Sequence, residues 1–257
     1  MKIIGNVEDI RVLFRTVRFK SGDADASVYI FRQDDALILR VMDLEAVTLI
    51  SVAIPLSNSS MSVEEAPSSF VRAIPVKQIL DPLQYFSDLD AVSLSFEEKV
   101  IVMKIANYER SINYLELEKF PSQPKLLEVG YQTATVEVDD LIRAINLTKD
   151  ITNAVTFRLN KSGLMIDGDS IAVHSLYKVD PHQMTLDAVN GEVTSSYGTD
   201  YLLKALAFAK GQVKVHIGTN YPMRLSGTLK NGLKFVSFVA PRILEKETVR
   251  AEDRGAT

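Results

Sequence analysis

Val28-Tyr29-Ile30-Phe31-Arg32, followed after a polar break by Ala36-Leu37-Ile38, is matched further along by Val155-Thr156-Phe157-Arg158 and Gly163-Leu164-Met165-Ile166. The separation is 127 residues from Val28 to Val155 and again 127 from Leu37 to Leu164. Such β-branched and apolar runs read as strands, with Gln33-Asp34-Asp35 as the turn between the first two. Working outward, Ile79-Leu80 matches Leu202-Leu203 at a separation of 123, and Val92-Ser93-Leu94-Ser95-Phe96 matches Val213-Lys214-Val215-His216-Ile217 at 121. Each half is therefore expected to run helix, strands, helix, strands, with small insertions absorbing the drift. This is the pattern of a duplicated domain.

The remaining runs fit the same plan. Residues 36–41, 47–52 and 100–105 read as strands, and Glu97-Glu98-Lys99 as a turn. Val7, Ile10, Phe14 and Val17 fall on one face of a first helix. Three more helical stretches are expected at roughly residues 76–88, 138–152 and 199–210, the second of the four shortened or kinked by Pro82. Asp139-Asp140 suits the positive end of the third. Domains are expected over 1–117 and 131–244, joined by a two-proline linker over 118–130 that carries Phe120, Leu126 and Leu127. A polar tail over 245–257 is expected to be disordered.

The chain has 257 residues, 46% hydrophobic and 24% charged, which suits one large globular domain or two of about 125 residues. Cysteine is absent, so disulfides, thiolate catalysis and cysteine metal sites are excluded. No apolar run approaches the ~20 residues of a membrane span, and the opening MKIIGNVEDI lacks a signal-peptide core. The expectation is an intracellular protein with no membrane association. His174, His182 and His216 lack metal-ligand spacing, so surface or strand positions are the better reading. Phosphate-loop, G-x-S-x-G and H-E-x-x-H motifs are missing. Asp34-Asp35 and Asp139-Asp140 fit a turn and a helix start better than acid–base work. Nothing here argues for catalysis, a cofactor or a metal.

Net charge is −4, which speaks against a generally basic nucleic-acid binder. Its distribution says more. Arg11, Arg15 and Arg18 form a stripe beside the apolar face of the first helix. A solvated face would explain that stripe alone. Lys77, Arg143, Lys149, Lys204 and Lys210 come from the other helical stretches, and four helices on one surface would gather them into a phosphate-binding patch without base reading.

Val41-Met42-Asp43-Leu44-Glu45-Ala46-Val47-Thr48-Leu49-Ile50-Ser51-Val52 resembles the "AMD-x-x-HV-x-L-V" signature of sliding clamps of the proliferating-cell-nuclear-antigen (PCNA) type. Tyr221-Pro222-Met223-Arg224-Leu225, Gly232-Leu233-Lys234-Phe235 and Phe238-Val239-Ala240-Pro241-Arg242-Ile243 resemble the approach to, and the "LAP[KR]I" end of, the same family. The ordered set spans nearly the whole chain and is archaeal in look. The resemblance implies an α+β, duplicated DNA-clamp fold, with sheets outside and two helices per domain on an inner face. It implies a non-enzymatic processivity factor, a trimeric ring around duplex DNA, either a homotrimer or a heterotrimer with paralogous subunits. Implied partners are a clamp loader, and a DNA polymerase, flap endonuclease and DNA ligase that bind through short hydrophobic motifs; location would be cytoplasmic and chromosome-associated, or nuclear in a eukaryote.

Carried over by position, the family's partner pocket would draw on Met42, Leu44 and Val47, on Pro222, Val239, Ala240 and Pro241, and on Phe120, Leu126 and Leu127. Core packing is the alternative for Met42 and Val47. The family's subunit contacts would fall near 109–115 and 170–178, through Arg110, Ile112, Tyr114, Ile171, Val173 and Leu176. Three positions depart from the family. Leu44-Glu45-Ala46 replaces a segment with histidine, Asp81-Pro82 stands where relatives carry another base, and Asn146 stands for a common arginine. These suit either a homotrimer or one subunit of a mixed ring. A checkpoint-type clamp, a β-rich scaffold that binds no DNA, and a hydrolase using Asp43 and Asp167 are the competing readings.

Overall fold

The computed structural model describes residues 1–21, 24–56, 61–65, 67, 69–117 and 131–243. The expected linker over 118–130, with Phe120, Leu126 and Leu127, and the expected tail over 245–257 lie outside them.

The first half runs β1 (Lys2–Asn6), α1 (Val7–Thr16), β2 (Lys20–Ser21), β3 (Ala24–Asp25), β4 (Val28–Gln33), β5 (Ala36–Met42), β6 (Thr48–Pro55), β7 (Ser62–Glu64), β8 (Val71–Ile74), α2 (Val76–Leu83), β9 (Ala91–Phe96), β10 (Val100–Ile105) and β11 (Tyr108–Asn113). The second runs β12 (Tyr131–Glu137), α3 (Val138–Lys149), β13 (Ala154–Asn160), β14 (Gly163–Asp169), β15 (His174–Lys178), β16 (Met184–Ala188), β17 (Val193–Gly198), α4 (Thr199–Leu206), β18 (Ala209–Gly218), β19 (Met223–Leu229) and β20 (Lys234–Val239).

The halves repeat one topology. A five-stranded sheet β11-β10-β9-β1-β7 in the first half has its counterpart in β20-β19-β18-β12-β16. A four-stranded unit β6-β5-β4-β8 has its counterpart in β15-β14-β13-β17. The repeated segment that opened the sequence reading is the hairpin of this second unit. Gln33 faces Ala36 and Asn160 faces Gly163, the same turn 127 residues on. Asp34 takes φ 50° in the first, a left-handed value that a short polar residue tolerates. Helices α2 and α4 have the same length and start 123 residues apart.

One junction joins the halves. Strand β20 pairs antiparallel with β6, Phe235 opposite Val52 and Val239 opposite Thr48, which makes a nine-stranded sheet across the chain. The corresponding strands β11 and β15 end their sheets with one side open.

Each helix lays an apolar stripe on the sheets: Val7, Ile10, Leu13 and Phe14 from α1, Leu141, Ala144 and Ile145 from α3, all buried. Three helices end earlier than their apolar spacing suggests. Helix α2 stops at Leu83, one residue past Pro82, which removes the N–H that would bond Gln78 O and crowds that carbonyl, and tight turns follow through Tyr85 N–H to Pro82 O and Phe86 N–H to Leu83 O. Helix α3 stops at Lys149, and α4 at Leu206, where Ala209 and Lys210 already belong to β18.

Candidate functional site

The four helices of the described residues form one layer, and side chains stitch each to the next. Helix α1 contacts α2 through Arg11, whose guanidinium donates to the carbonyls of Leu83 and Phe86 and pairs with Asp88. Helix α4 meets α1 where Lys204 Nζ donates to Arg15 O at 3.0 Å and lies 5.6 Å from the Phe19 ring centre. Helix α3 meets α4 through Lys149 and Asp200, 2.6 Å apart. The order across the layer is therefore α2, α1, α4, α3.

This layer divides the eight expected DNA-facing residues. Arg15, Lys77, Arg143, Lys149 and Lys210 are exposed. Arg11 is not part of a free stripe: its side chain is only 13% exposed and neutralises the carbonyl end of α2. Arg18 pairs with Asp25 at 3.1 Å, and Lys204 is held against Arg15 and Phe19, its pKa lowered by burial and by Arg18. Lys210 sits on a strand, beside a bulge where Gly211 takes φ +70°. A wheel places 11, 15 and 18 together, but the flanks of that stripe meet neighbouring helices.

A second region lies at one end of the β20–β6 junction. The Asp43 carboxylate accepts from Val47 N–H at 2.7 Å and Thr48 N–H at 2.8 Å, which closes the 43–47 loop with Ala46 at φ 56°. Ala240 N–H then donates to Val47 O, tying that loop to the chain leaving β20. Met42, Val47, Pro222, Ala240 and Pro241 are half-buried here, and Leu44 is 55% exposed. Val239 is fully buried in the main core and is no pocket wall. Strand alternation is the reason: Phe238 takes the other face. Register sets Met42 opposite Leu49, Leu49 opposite Phe238 and Phe238 opposite Arg224, one row across four strands.

The two open edges form a third region. On β11, Glu109 and Ser111 point outward, Arg110 is half-buried and Ile112 is buried in the core. The expectation that the Ile112 side chain makes a subunit contact is therefore corrected, by the same alternation that turns Val239 inward. Tyr114 lies past the strand, donates to Glu97 O at 2.9 Å and has its hydroxyl pushed up to about 12 by burial. Strand β15 begins at His174, so Ile171 and Val173 precede it; both are exposed, as is Leu176. Behind β15 the Tyr177 hydroxyl donates to the buried Asp140.

The acids of the hydrolase reading have structural partners. Asp43 closes its loop, and Asp167 pairs with Arg158. Among the described residues no three or more histidine or acidic side chains gather as metal ligands. His216 is half-buried beside Thr133, its imidazole driven down to about 4 by burial and by Arg224 and Lys214.

A DNA polymerase sliding clamp of Archaeoglobus fulgidus is 27% identical over 213 residues, covering 79% of this chain and 84% of its own. DNA polymerase sliding clamp 1 of Pyrobaculum aerophilum is 24% identical over 221 residues, covering 82% and 87%. Among solved structures, A. fulgidus PCNA bound to the C-terminal region of FEN-1 superposes with a TM-score of 0.82 at 23% identity, over 95% of this chain and 99% of that one. The chain is similar to archaeal DNA polymerase sliding clamps and shares the fold of PCNA structures. A PCNA2–PCNA3 complex from Sulfolobus tokodaii gives a TM-score of 0.75 at 19% identity, over 94% and 99%. No family model matches.

The structure places Met42-Asp43 and Ala240-Pro241 side by side, through the loop that Val47 closes. Leu49 and Phe238, which the sequence reading did not single out, share a face with Met42 and are themselves buried. The signal was present: counting alternate residues through 47–52 from the Met42 pairing would have found Leu49.

Proposed function

We propose that this chain is a non-enzymatic processivity clamp, one subunit of a trimeric ring around duplex DNA that tethers replication and repair proteins. One observation carries the reading. Each chain has a joined seam, β20–β6, and carries the same two strands again as open edges, β11 and β15. Open edges offer unpaired N–H and C=O groups to a further strand. A head-to-tail copy of the seam supplies one, and such contacts close into rings when the rotation permits.

The seam also predicts the register. Leu115 bridges Ala73 as Arg242 bridges Ser196, so β11 lies 127 residues before β20. Strand pairing likewise sets β15 125 residues after β6. Transferred to the open edges, the β20–β6 register puts Tyr108 opposite a neighbouring copy's Tyr177, Arg110 opposite Ser175, and Ser111 opposite His174.

Repeating the seam extends the α2-α1-α4-α3 layer around the inside of the ring. Arg15, Lys77, Arg143 and Lys210 would then meet phosphates without reading bases, leaving the ring free to slide. Retention would come from closure rather than affinity. Met42, Leu44, Val47, Pro222, Ala240 and Pro241, lying over the buried Leu49 and Phe238, offer an apolar site for partner motifs such as that of a flap endonuclease. Such a clamp works inside the cell, on the chromosome.

Because the chain has no cysteine of its own, the test is direct. The double variant Ser111→Cys, His174→Cys should oxidise to a covalent species of three 28.6 kDa chains. The offset pair Arg110→Cys, His174→Cys should not. The cross-linked ring should stay on circular DNA and leave once the DNA is cut. Failure of the first pair to link, or equal loss from circular and linear DNA, overturns the reading.

A further inference from the structure

The 43–47 loop carries Leu44, the most exposed apolar side chain of the proposed partner site. Its base is held from within the sheets: Asp43 accepts from Val47 and Thr48, and Ala240 N–H ties Val47 to the chain leaving β20. Its tip is reached from the helix layer instead. The Tyr201 hydroxyl, on α4, donates to the Glu45 carboxylate across 156 residues of sequence. A hydroxyl donating to a carboxylate is one of the stronger hydrogen bonds. That bond is also the first cause of the Tyr201 hydroxyl being pushed up to about 12.

Packing gives the tip little support on this side. A cavity of about 250 Å3 opens between Leu44 and Glu45 on the loop and Phe19, Lys20, Asp200 and Tyr201 below them. Tyr201 is itself well fixed. A Cβ on Gly198 would fall 2.8 Å from its Cδ2, so the ring fills space that a glycine leaves free. Helix α4 is anchored on both flanks, by Asp200 against Lys149 and by Lys204 against Arg15 O. A braced helix therefore reaches a loop tip through one side-chain bond. Leu44-Glu45-Ala46 is where the sequence departs from the clamp signature, and that departure supplies the acceptor.

We propose that Tyr201 is a positioning residue of the partner site: through Glu45 it holds the loop tip so that Leu44 stands as a wall for a partner's apolar side chain. This rests on the partner-site reading above. Tyr201 need touch no partner to act. A wall already in place does not have to be ordered on binding, and such a gain shows chiefly in how long the partner stays.

The experiment titrates the full chain with a labelled peptide carrying the hydrophobic motif of a flap-endonuclease C-terminus, and records its dissociation rate. Tyr201→Phe keeps the ring and deletes the hydroxyl. It should weaken binding about three- to tenfold, mostly through faster release, with an unchanged melting curve. Glu45→Ala should do the same, whereas Glu45→Gln keeps an acceptor and should stay close to wild type. Gly198→Ala should also weaken binding with the hydroxyl intact: φ −69° and ψ 128° suit alanine, but the Tyr201 ring must move. In a Leu44→Ala background Tyr201→Phe should have no further effect. Wild-type affinity in Tyr201→Phe, or losses from Tyr201→Phe and Leu44→Ala that simply add, overturn the positioning role alone. A wild-type chain that does not bind the peptide overturns the partner site and this proposal with it.

Discussion

Arg11 shows how a residue that looks made for DNA can be spent on the fold. Its partners, the carbonyls of Leu83 and Phe86 and the Asp88 carboxylate, lie more than 70 positions away in sequence. A helical wheel has no access to them. Truncation leaves those groups unpaired, so Arg11→Ala should cost about 2–3 kcal/mol in a denaturant titration. Arg11→Lys should restore only part, since an ammonium cannot fork across two carbonyls and an acid. His216 makes the complementary point about pH. The folded protein holds it neutral down to about 4, whereas the unfolded chain protonates near 6.5. Between those values the unfolded state binds more protons, so this residue's effect is to lower stability on acidification across that window and to level off below it. His216→Gln should flatten the dependence by up to about one proton, seen by comparing urea midpoints at about pH 7 and about pH 4.5.

Elements were more legible than residues. The hairpin repeat read from Val28 and Val155 is present at its stated separation, and Ile79-Leu80 and Leu202-Leu203 do lie on matching helices. Helix ends were not legible, because apolar residues continue past α4 into β18, where Ala209 is buried as a strand residue. Two of the pocket and edge positions turn inward on parity. Val239 and Ile112 were read from motif position, and alternation turns both inward. Packing between elements left a sharper trace in structure than in sequence at Gly168. A Cβ there would lie 2.0 Å from Thr148 Cγ2, so β14 passes directly under α3 with no room for a methyl group. Gly168→Ala should therefore cost about 1–3 kcal/mol. Thr148→Ser, which removes that methyl and keeps the hydroxyl bonded to Ala144 O, should recover much of it in a double-mutant cycle.

At the scale of the whole molecule, an acidic chain presents exposed cations on a single layer of helices. Neutralising Arg15, Lys77 and Arg143 to Gln should reduce retention on DNA and lower the salt slope by roughly one for each phosphate that no longer meets a cation. The mass of the assembly should not change. The architecture that makes the lining continuous has a mechanical side. One junction in each chain is unbroken sheet between covalently joined halves, and the other ends in bare strands. Under tension the first would yield only by unfolding, whereas the second needs nothing more than two strands to let go. Were three such links to close into a hoop, its gates would lie at the borders between chains, and DNA could be admitted without disturbing a single core.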